Sequence, residues 1–194
     1  MRLSRGQIFF AAMCLSSILV INTVRPRQIA PNIKAVLTKQ DGSIANIDTP
    51  RKASTTKNYL LDVVEFQNSN TLIHKTMGPL GFTNDFFIDF EAELEVLEAG
   101  MYTFNVASDD GFRLWVDDKQ LAEWLGDRPV ATTPGKIALD KGRHKLRLSY
   151  FQGYGNLGLK VTYNKEGSSS YRLGESSALS LIHISEPTRL RRIS

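Results

Sequence analysis

Short runs of alternating apolar and polar residues fill most of the chain from residue 58 onward. Each run is rich in β-branched and aromatic residues, and turn-forming residues separate the runs at roughly ten-residue spacing. The runs are YLLDVVEF, DFFIDFEAELEVL, AGMYTFNVAS, FRLWV, KQLAEW, KIALDKGRHKLRLSYF and LGLKVTY. Only ELEVLE has a possible helical pattern, and six residues are too few for a helix that stands alone. The pattern predicts an all-β domain, built as a sandwich or a barrel.

The first 27 residues have the charge pattern of an export segment. Basic residues flank an apolar-dominated run from Ile8 to Ile21, which suits a signal-peptide core better than a full membrane span. No Ala-x-Ala cleavage pattern follows, so an uncleaved membrane anchor stays open as an alternative. In both cases we expect the body of the chain to be exported, and therefore periplasmic, on the cell surface or secreted. The only cysteine, Cys14, lies in this segment, so the exported body has no disulfide.

Two other segments flank the predicted domain, which we assign to residues 58–178. Residues 28–57 are polar and rich in Thr, Ser, Lys and Pro, and we interpret them as a spacer. A short hairpin packed on the domain is the alternative. Residues 179–194, LSLIHISEPTRLRRIS, resemble one reading frame of a sequencing-library adapter, so we expect them not to be native. A natural strand followed by a basic tail is the alternative there.

The charge distribution argues against nucleic acid as a partner. The formal net charge is +4, but residues 28–178 carry 17 basic and 19 acidic groups. A body without excess positive charge cannot draw its affinity from phosphate neutralisation. The stretch GYGNLG, 153–158, matches the G-x-G-x-x-G fingerprint, yet the strand-like LKVTY follows where a dinucleotide site needs a helix. We therefore expect no nucleotide either.

Two pairs of adjacent aspartates bracket the run FRLWV in the stretch ASDDGFRLWVDD. Neighbouring side chains of an extended strand point to opposite faces, so Asp109 and Asp110 converge on one ion only if the backbone is unusual there. Alternatively, SDDG is a common turn signature. Asp117 and Asp118 lie where the chain must reverse between two strands, which predicts a hairpin turn and no metal. Lys119 after them suggests a slightly longer turn.

The stretch from Glu98 to Tyr163 resembles the protective-antigen-type lectin domain of the PA-fourteen (PA14) family. The matching pieces are LEAGMYTFNVASDDGFRLWVDDKQL, then Trp124, then LDKGRHKLRLSYFQGYGNLGLKVTY. The resemblance implies a two-sheet antiparallel β sandwich of the jelly-roll type. It also implies calcium-dependent recognition of glycans.

The resemblance further implies which residues bind the metal. Asp109 and Asp110 would be joined by a cis peptide and would bind Ca²⁺, and Gly111 would let the strand leave the turn. Calcium takes roughly 6–8 oxygen ligands, so other ligands are needed. The loop QGYGNLG would supply Asn156 as the best side-chain candidate and Gln152 as the second.

Specificity for a sugar would come from side chains beside the metal. Tyr154, at the tip of the QGYGNLG loop, would stack on a pyranose ring. Arg128 or Trp124 would line the rim of the site.

These observations predict a non-catalytic, calcium-dependent carbohydrate-binding or adhesion module at the cell envelope. Adjacent carboxylates on one turn cannot flank a glycosidic bond from two sides, and no Ser-His-Asp or Cys-His set is apparent. We therefore expect no enzymatic activity. The alternative is a metal-free structural or protein-interaction module of the same fold.

Overall fold

Fourteen strands and no helix make up the part of the chain that the computed structural model describes, which is residues 32–175 and the backbone of residues 179–181. In chain order they are β1 (Ile33–Gln40), β2 (Ala53–Leu61), β3 (Glu65–Ser69), β4 (Ile73–His74), β5 (Gly78–Pro79), β6 (Phe86–Val96), β7 (Gly100–Asp109), β8 (Phe112–Val116), β9 (Lys119–Trp124), β10 (Ala131–Leu139), β11 (Gly142–Gln152), β12 (Leu157–Lys165), β13 (Tyr171–Arg172) and β14 (Leu179–Leu181).

The strands form two antiparallel sheets. The first has the order β2-β1-β6-β11-β8-β9, and β14 pairs with the end of β6. The second has the order β10-β7-β12-β3-β4-β5, and β13 pairs with β12. The two-residue link between β10 and β11 therefore carries the chain from one sheet to the other.

Side chains from alternate positions of both sheets fill the space between them. Burial of every second residue removes apolar surface from water while the intervening residues stay near solvent. The inward residues include Tyr102, Phe104 and Val106 of β7, Phe112, Leu114 and Val116 of β8, and Leu157, Leu159, Val161 and Tyr163 of β12. These are the sets that the alternation in the sequence predicts. The all-β, two-sheet sandwich is confirmed.

The predicted spacer over residues 28–57 is wrong for the part of it that the structure describes. β1 lies inside the first sheet, between β2 and β6, and it buries Ile33, Ala35 and Leu37. The ordered domain therefore begins well before residue 58. The sequence pattern for a strand was weak here for two reasons. β1 alternates over only three apolar residues, and β2 is a polar, largely exposed edge strand that needs little alternation.

The connection between β1 and β2 packs beneath one end of the sandwich. Ile44 and Ile47 form a small apolar cluster with Phe87 and Phe151, separate from the main core. The backbone N–H of Ile47 donates to the carbonyl of Leu125, 2.8 Å away, in the loop after β9. The connection thus supports the end of the sandwich where β7 and β11 finish.

Some of the predicted segments fall outside the described residues. They are the signal peptide or membrane anchor, 1–27, and most of the proposed adapter, 182–194. The backbone of β14 pairs with Leu94 and Val96 of β6, and its adapter origin stays a prediction. Within the described part, no helix has the length and apolar character needed to cross a membrane.

Gly111 permits a close approach between the start of β8 and the loop after β9. A Cβ atom on Gly111 would lie 2.5 Å from Cε1 of Phe151 and 2.6 Å from the carbonyl oxygen of Trp124. These separations are shorter than a van der Waals contact, and one of the atoms belongs to the backbone. The predicted glycine is therefore required by space rather than by a turn conformation.

We expect Gly111→Ala to lower the free energy of unfolding by about 1–3 kcal/mol, as overpacking of a well-packed site does. Gly126→Ala is the matched control, because nothing lies within 4 Å of a Cβ atom there. Urea denaturation of both variants measures the difference. Equal and small effects of the two substitutions would show that the contact at Gly111 does not constrain the fold.

Candidate metal centre

Asp109 and Asp110 lie at the end of β7, where the loop between β11 and β12 packs against them. The peptide bond that joins them is cis, as the resemblance implies. Both residues are buried, with 8% and 4% of their surface exposed. Asp109 pairs with Gly158 at the start of β12, and the N–H of Gly153 donates to Oδ2 of Asp110 at 2.9 Å. The two loops that the sequence assigns to one site therefore meet.

The two carbonyl groups of this dipeptide also have partners. The Tyr150 hydroxyl donates to the carbonyl oxygen of Asp109, and Oγ of Ser108 donates to that of Asp110 at 2.6 Å. Tyr150 and Ser108 are themselves buried. The backbone of the aspartate pair is thus held from both sides by neighbouring strands.

Only backbone amides donate to the two carboxylates in the described contacts. Besides Gly153, the N–H of Arg128 lies 3.3 Å from Oδ1 of Asp110, and the N–H of Val130 donates to Asp109. No Lys, Arg or His side chain in the described part forms an ion pair with either aspartate. Two carboxylates therefore lie side by side, buried, without an ion-pair partner among the described residues.

The nearest cationic side chain, Arg128, does not donate to the two carboxylates from its guanidinium. Its guanidinium donates to the carbonyl and hydroxyl oxygens of Ser108 and to Oγ1 of Thr133, at 2.8–3.2 Å. It also lies 5.1 Å from the centre of the Trp124 ring. Arg128 was predicted to line the sugar site. Its donors hold the β7 backbone and its guanidinium lies over the Trp124 ring, and its contact with a sugar stays a prediction.

Burial changes the acidity of the pair. It raises the pKa of Asp110 to about 6, and the charges of Asp127 and Asp109 add to the increase, while the N–H groups of Gly153 and Arg128 oppose it. Burial also raises the pKa of Asp109, against the lowering effect of the Val130 N–H and the Arg128 charge. Ionisation of this site therefore costs free energy unless a cation is present.

A third carboxylate, Asp127, faces the same space and was missed from the sequence. A Cβ atom on Gly153 would be 3.5 Å from Oδ2 of Asp110 and 3.6 Å from Oδ1 of Asp127. Asp127 lies in the loop between β9 and β10 and is exposed. Its loop has no strand pattern to fix its direction, so no sequence signal placed it here.

Gln152 and Asn156 were predicted to complete the metal ligands. Gln152 is fully buried, its Oε1 lies 2.7 Å from the Tyr150 hydroxyl, and its Nε2 donates to the carbonyl of Asn156 at 2.8 Å. These contacts favour a role in positioning the loop. The Asn156 side chain is exposed and makes no hydrogen bond within the described residues, so it is available to a ligand.

The donor set fits a hard cation such as Ca²⁺. Carboxylates, an amide oxygen and backbone carbonyls are the oxygen ligands that calcium prefers. Across residues 32–175, no three His, Cys, Asp or Glu side chains are grouped closely enough to hold an ion together. Any cation bound by the aspartates would therefore take its remaining ligands from amide, carbonyl and water oxygens.

Two aromatic side chains stand exposed around the aspartates, and we call them the rim. Tyr154, at the tip of the β11–β12 loop, is 87% exposed, and Trp124, at the end of β9, is 45% exposed. The indole N–H of Trp124 donates to the carbonyl of Asp127 at 3.4 Å. Their contact with a ligand stays a prediction.

Asp117 and Asp118 form the predicted hairpin turn at the opposite end of β8. Both have positive φ, 49° and 62°, and Val116 pairs directly with Lys119. This is the two-residue geometry of a tight hairpin, so the longer turn suggested by Lys119 is wrong. Asp117 contacts His144, and Asp118 pairs with Arg147 at 2.6 Å. Each therefore contacts a basic side chain, in contrast to Asp109 and Asp110, whose carboxylates accept only from backbone amides in the described contacts.

Comparisons with solved structures give the same fold at low sequence identity. The chain is similar to the PA14 sugar-binding domain from an RTX adhesin, with a TM-score of 0.58 and 18% identity over 74% of this chain and 94% of that one. It is similar to the PA14 domain of the MpAFP antifreeze protein, with a TM-score of 0.62 and 16% identity over 84% and 97%.

A third structural relative is the Epithelial Adhesin 9 A domain from Candida glabrata, solved in complex with Galb1-4GlcNAc. It has a TM-score of 0.56 and 10% identity, over 81% of this chain and 93% of that one. No curated protein matches the chain.

The model of the PA14 domain matches residues 64–176, which is more than half of the chain. The matched range contains both aspartates, the β11–β12 loop and the rim. The chain belongs to the PA14 domain family.

Proposed function

We propose that this domain binds glycans through a calcium ion held by Asp109 and Asp110, and that it acts as a non-catalytic, exported adhesion module at the cell envelope. The observation that carries the proposal is the pair of buried carboxylates without an ion-pair partner in the described residues. Buried charges in proteins are paired or coordinate metals, because an isolated one is costly. A divalent cation would relieve both the burial and the mutual repulsion.

The described contacts suggest which residues would hold the ion. Asp109 and Asp110 would provide carboxylate oxygens, and the Asn156 amide would approach from the exposed side of the β11–β12 loop. Gln152 would hold that loop by its hydrogen bond to the Asn156 carbonyl. Asp127 would contribute through water. When bound, calcium would supply open coordination positions for a pair of sugar hydroxyls.

The surroundings of the aspartates support a sugar as the ligand. Aromatic rings offer flat apolar surfaces for the C–H face of a pyranose. Tyr154 directly follows Gly153, whose N–H donates to Asp110, and Trp124 donates to the carbonyl of Asp127. The relatives include a domain described as sugar-binding and one solved with Galb1-4GlcNAc. A single exposed site of this kind would bind weakly, so useful adhesion would require several copies of the site.

The same geometry argues against glycoside hydrolysis. A hydrolase needs two carboxyl groups on opposite sides of the scissile bond, roughly 5–9.5 Å apart. Asp109 and Asp110 are consecutive residues, and both accept hydrogen bonds from loop amides that fix them at one side of the site. We expect them to hold an ion rather than to transfer a proton.

Calcium should stabilise the protein against unfolding, by about 2.7 kcal/mol at a concentration of about 100 times its Kd. Asp110→Asn should abolish this increase and abolish glycan binding, because it removes a charged ligand. The matched control is Asp118→Asn, the same chemical change at an exposed turn position with positive φ that asparagine tolerates. Thermal unfolding with calcium and with a chelator measures both variants.

Wild-type protein that unfolds at the same temperature in calcium and in chelator, and that binds no glycan in either, would contradict the proposal. That result would favour the metal-free structural or protein-interaction module.

The calcium effect should also depend on pH. In the folded protein without metal, burial raises the pKa of Asp110 from 3.8 to about 6. Between these two pH values the folded state therefore holds a proton that the unfolded state has released. Stability from this group is therefore present below about pH 4 and is lost as the pH rises through 6. Calcium requires the ionised carboxylate, so its stabilising effect should grow over the same range.

The expected result is a small calcium-dependent rise in Tm at about pH 5 and a full rise at about pH 7.5. Thermal unfolding in matched buffers, with and without calcium, gives the difference at each pH. A calcium effect of the same size at both pH values would mean that Asp110 is not the titrating ligand.

A further inference from the structure

A groove of about 380 Å³ opens on the outer face of the second sheet. Its volume falls within the range of roughly 300–1,000 Å³ that is typical of ligand sites. Two of the residues at its floor, Gly158 of β12 and Ala107 of β7, have almost no side chain, which leaves the outer face of the sheet open. Gln67 and Asn68 of β3 and Val130 of the β9–β10 loop form its walls.

One end of the groove borders the aspartate site. Gly158 pairs with Asp109 in the β7–β12 register, and the N–H of Val130 donates to Asp109. Both residues therefore line the groove and contact the proposed calcium ligand. A glycan at the proposed ion would therefore lie beside this end of the groove.

The other end of the groove carries an excess of positive charge. Lys75 and Lys160 both line it, and both reach the same carboxylate, Glu65, at 3.0 and 3.6 Å. That carboxylate also pairs with Arg172, whose second partner is Glu175. The two lysine side chains are 40% and 47% exposed. Glu65 itself lines the groove between the two lysines, so this end carries two exposed ammonium groups and one carboxylate.

We propose that the groove is a second subsite for an anionic sugar residue, linked to the sugar at the calcium ion. The proposal rests on the proposed glycan-binding function and adds the chemical class of its ligand. The acidic group of the residue contacts the exposed ammonium groups of Lys75 and Lys160 on the side turned away from Glu65, and the amides of Gln67 and Asn68 bind its hydroxyl groups. The domain therefore prefers a polysaccharide that contains uronate or sulfated residues over a neutral one.

The direction of the glycan follows from the charges at the two ends. The aspartates repel an anionic group unless calcium covers them, so the acidic residue occupies the lysine end. Strand spacing supports this arrangement, because Gly158 and Lys160 are two residues, about 6.6 Å, apart on the same face of β12. That separation suits neighbouring units of one chain.

The test is a glycan array in calcium buffer that pairs each uronate-containing oligosaccharide with its carboxyl-reduced and its sulfated counterpart. Wild-type protein should bind the carboxylated member at least tenfold more tightly than the carboxyl-reduced one. Lys75→Met combined with Lys160→Met should remove this preference and leave binding of the neutral member unchanged. Glu65 keeps Arg172 as a partner in this variant, so the fold should be retained.

The matched control is Lys136→Met combined with Lys141→Met. Both lysines are exposed and lie outside the groove, and Lys136 belongs to β10 of the same sheet. The control loses the same net charge and should keep the preference. Raising the salt concentration should weaken the preference in wild-type protein, since the ammonium groups are exposed and screened by ions.

The possible outcomes test the anionic subsite and the calcium-dependent glycan site separately. Calcium-dependent binding without a preference for acidic glycans, or a preference that the groove variant retains, would overturn the subsite and leave the metal site standing. Absence of binding to every glycan would overturn both. A preference for the sulfated members alone would support the subsite and identify sulfate, rather than carboxylate, as the group that the lysines bind.

Discussion

Asp109 and Asp110 place two negative charges next to each other inside the end of a β sandwich, where water reaches them poorly. Backbone N–H groups from two loops turn toward these carboxylates, while Arg128, the nearest cationic side chain, donates to Ser108 and Thr133 instead. Amide dipoles reduce the cost of ionisation, but burial still raises the pKa of Asp110 to about 6. The cation that we propose would offset this cost, because it would neutralise both carboxylates.

Much of the surrounding structure serves to hold those loops in position. The β1–β2 connection fixes the loop after β9 through Ile47 and Leu125, and the missing side chain of Gly111 lets that loop approach β8. Gln152 fixes the β11–β12 loop from inside the sandwich. A metal site assembled from separate loops depends on such supports, because small displacements of its oxygen atoms weaken binding.

The sequence was sufficient to predict the strands and the hairpin turn, because local periodicity and burial act together there. Strands such as β7 and β12 alternate strictly because one face lies against the opposite sheet, and a tight turn at Asp117 and Asp118 follows from the reversal between two such strands. The cis peptide and the pairing of the aspartates with the β11–β12 loop came from the family resemblance. The sequence did not predict three features that depend on contacts between distant segments. They are the edge position of β2, the direction of the Arg128 side chain, and the approach of Asp127 to the aspartate pair.

The proposed function depends on a cation that neutralises the buried aspartate pair. The most direct measurement is an experimental structure of the protein crystallised with calcium at neutral pH. We expect an ion at about 2.3–2.6 Å from carboxylate oxygens of both Asp109 and Asp110, with a ligand from the β11–β12 loop. A structure at saturating calcium in which water or a protein side chain, and no ion, contacts both carboxylates would contradict this expectation.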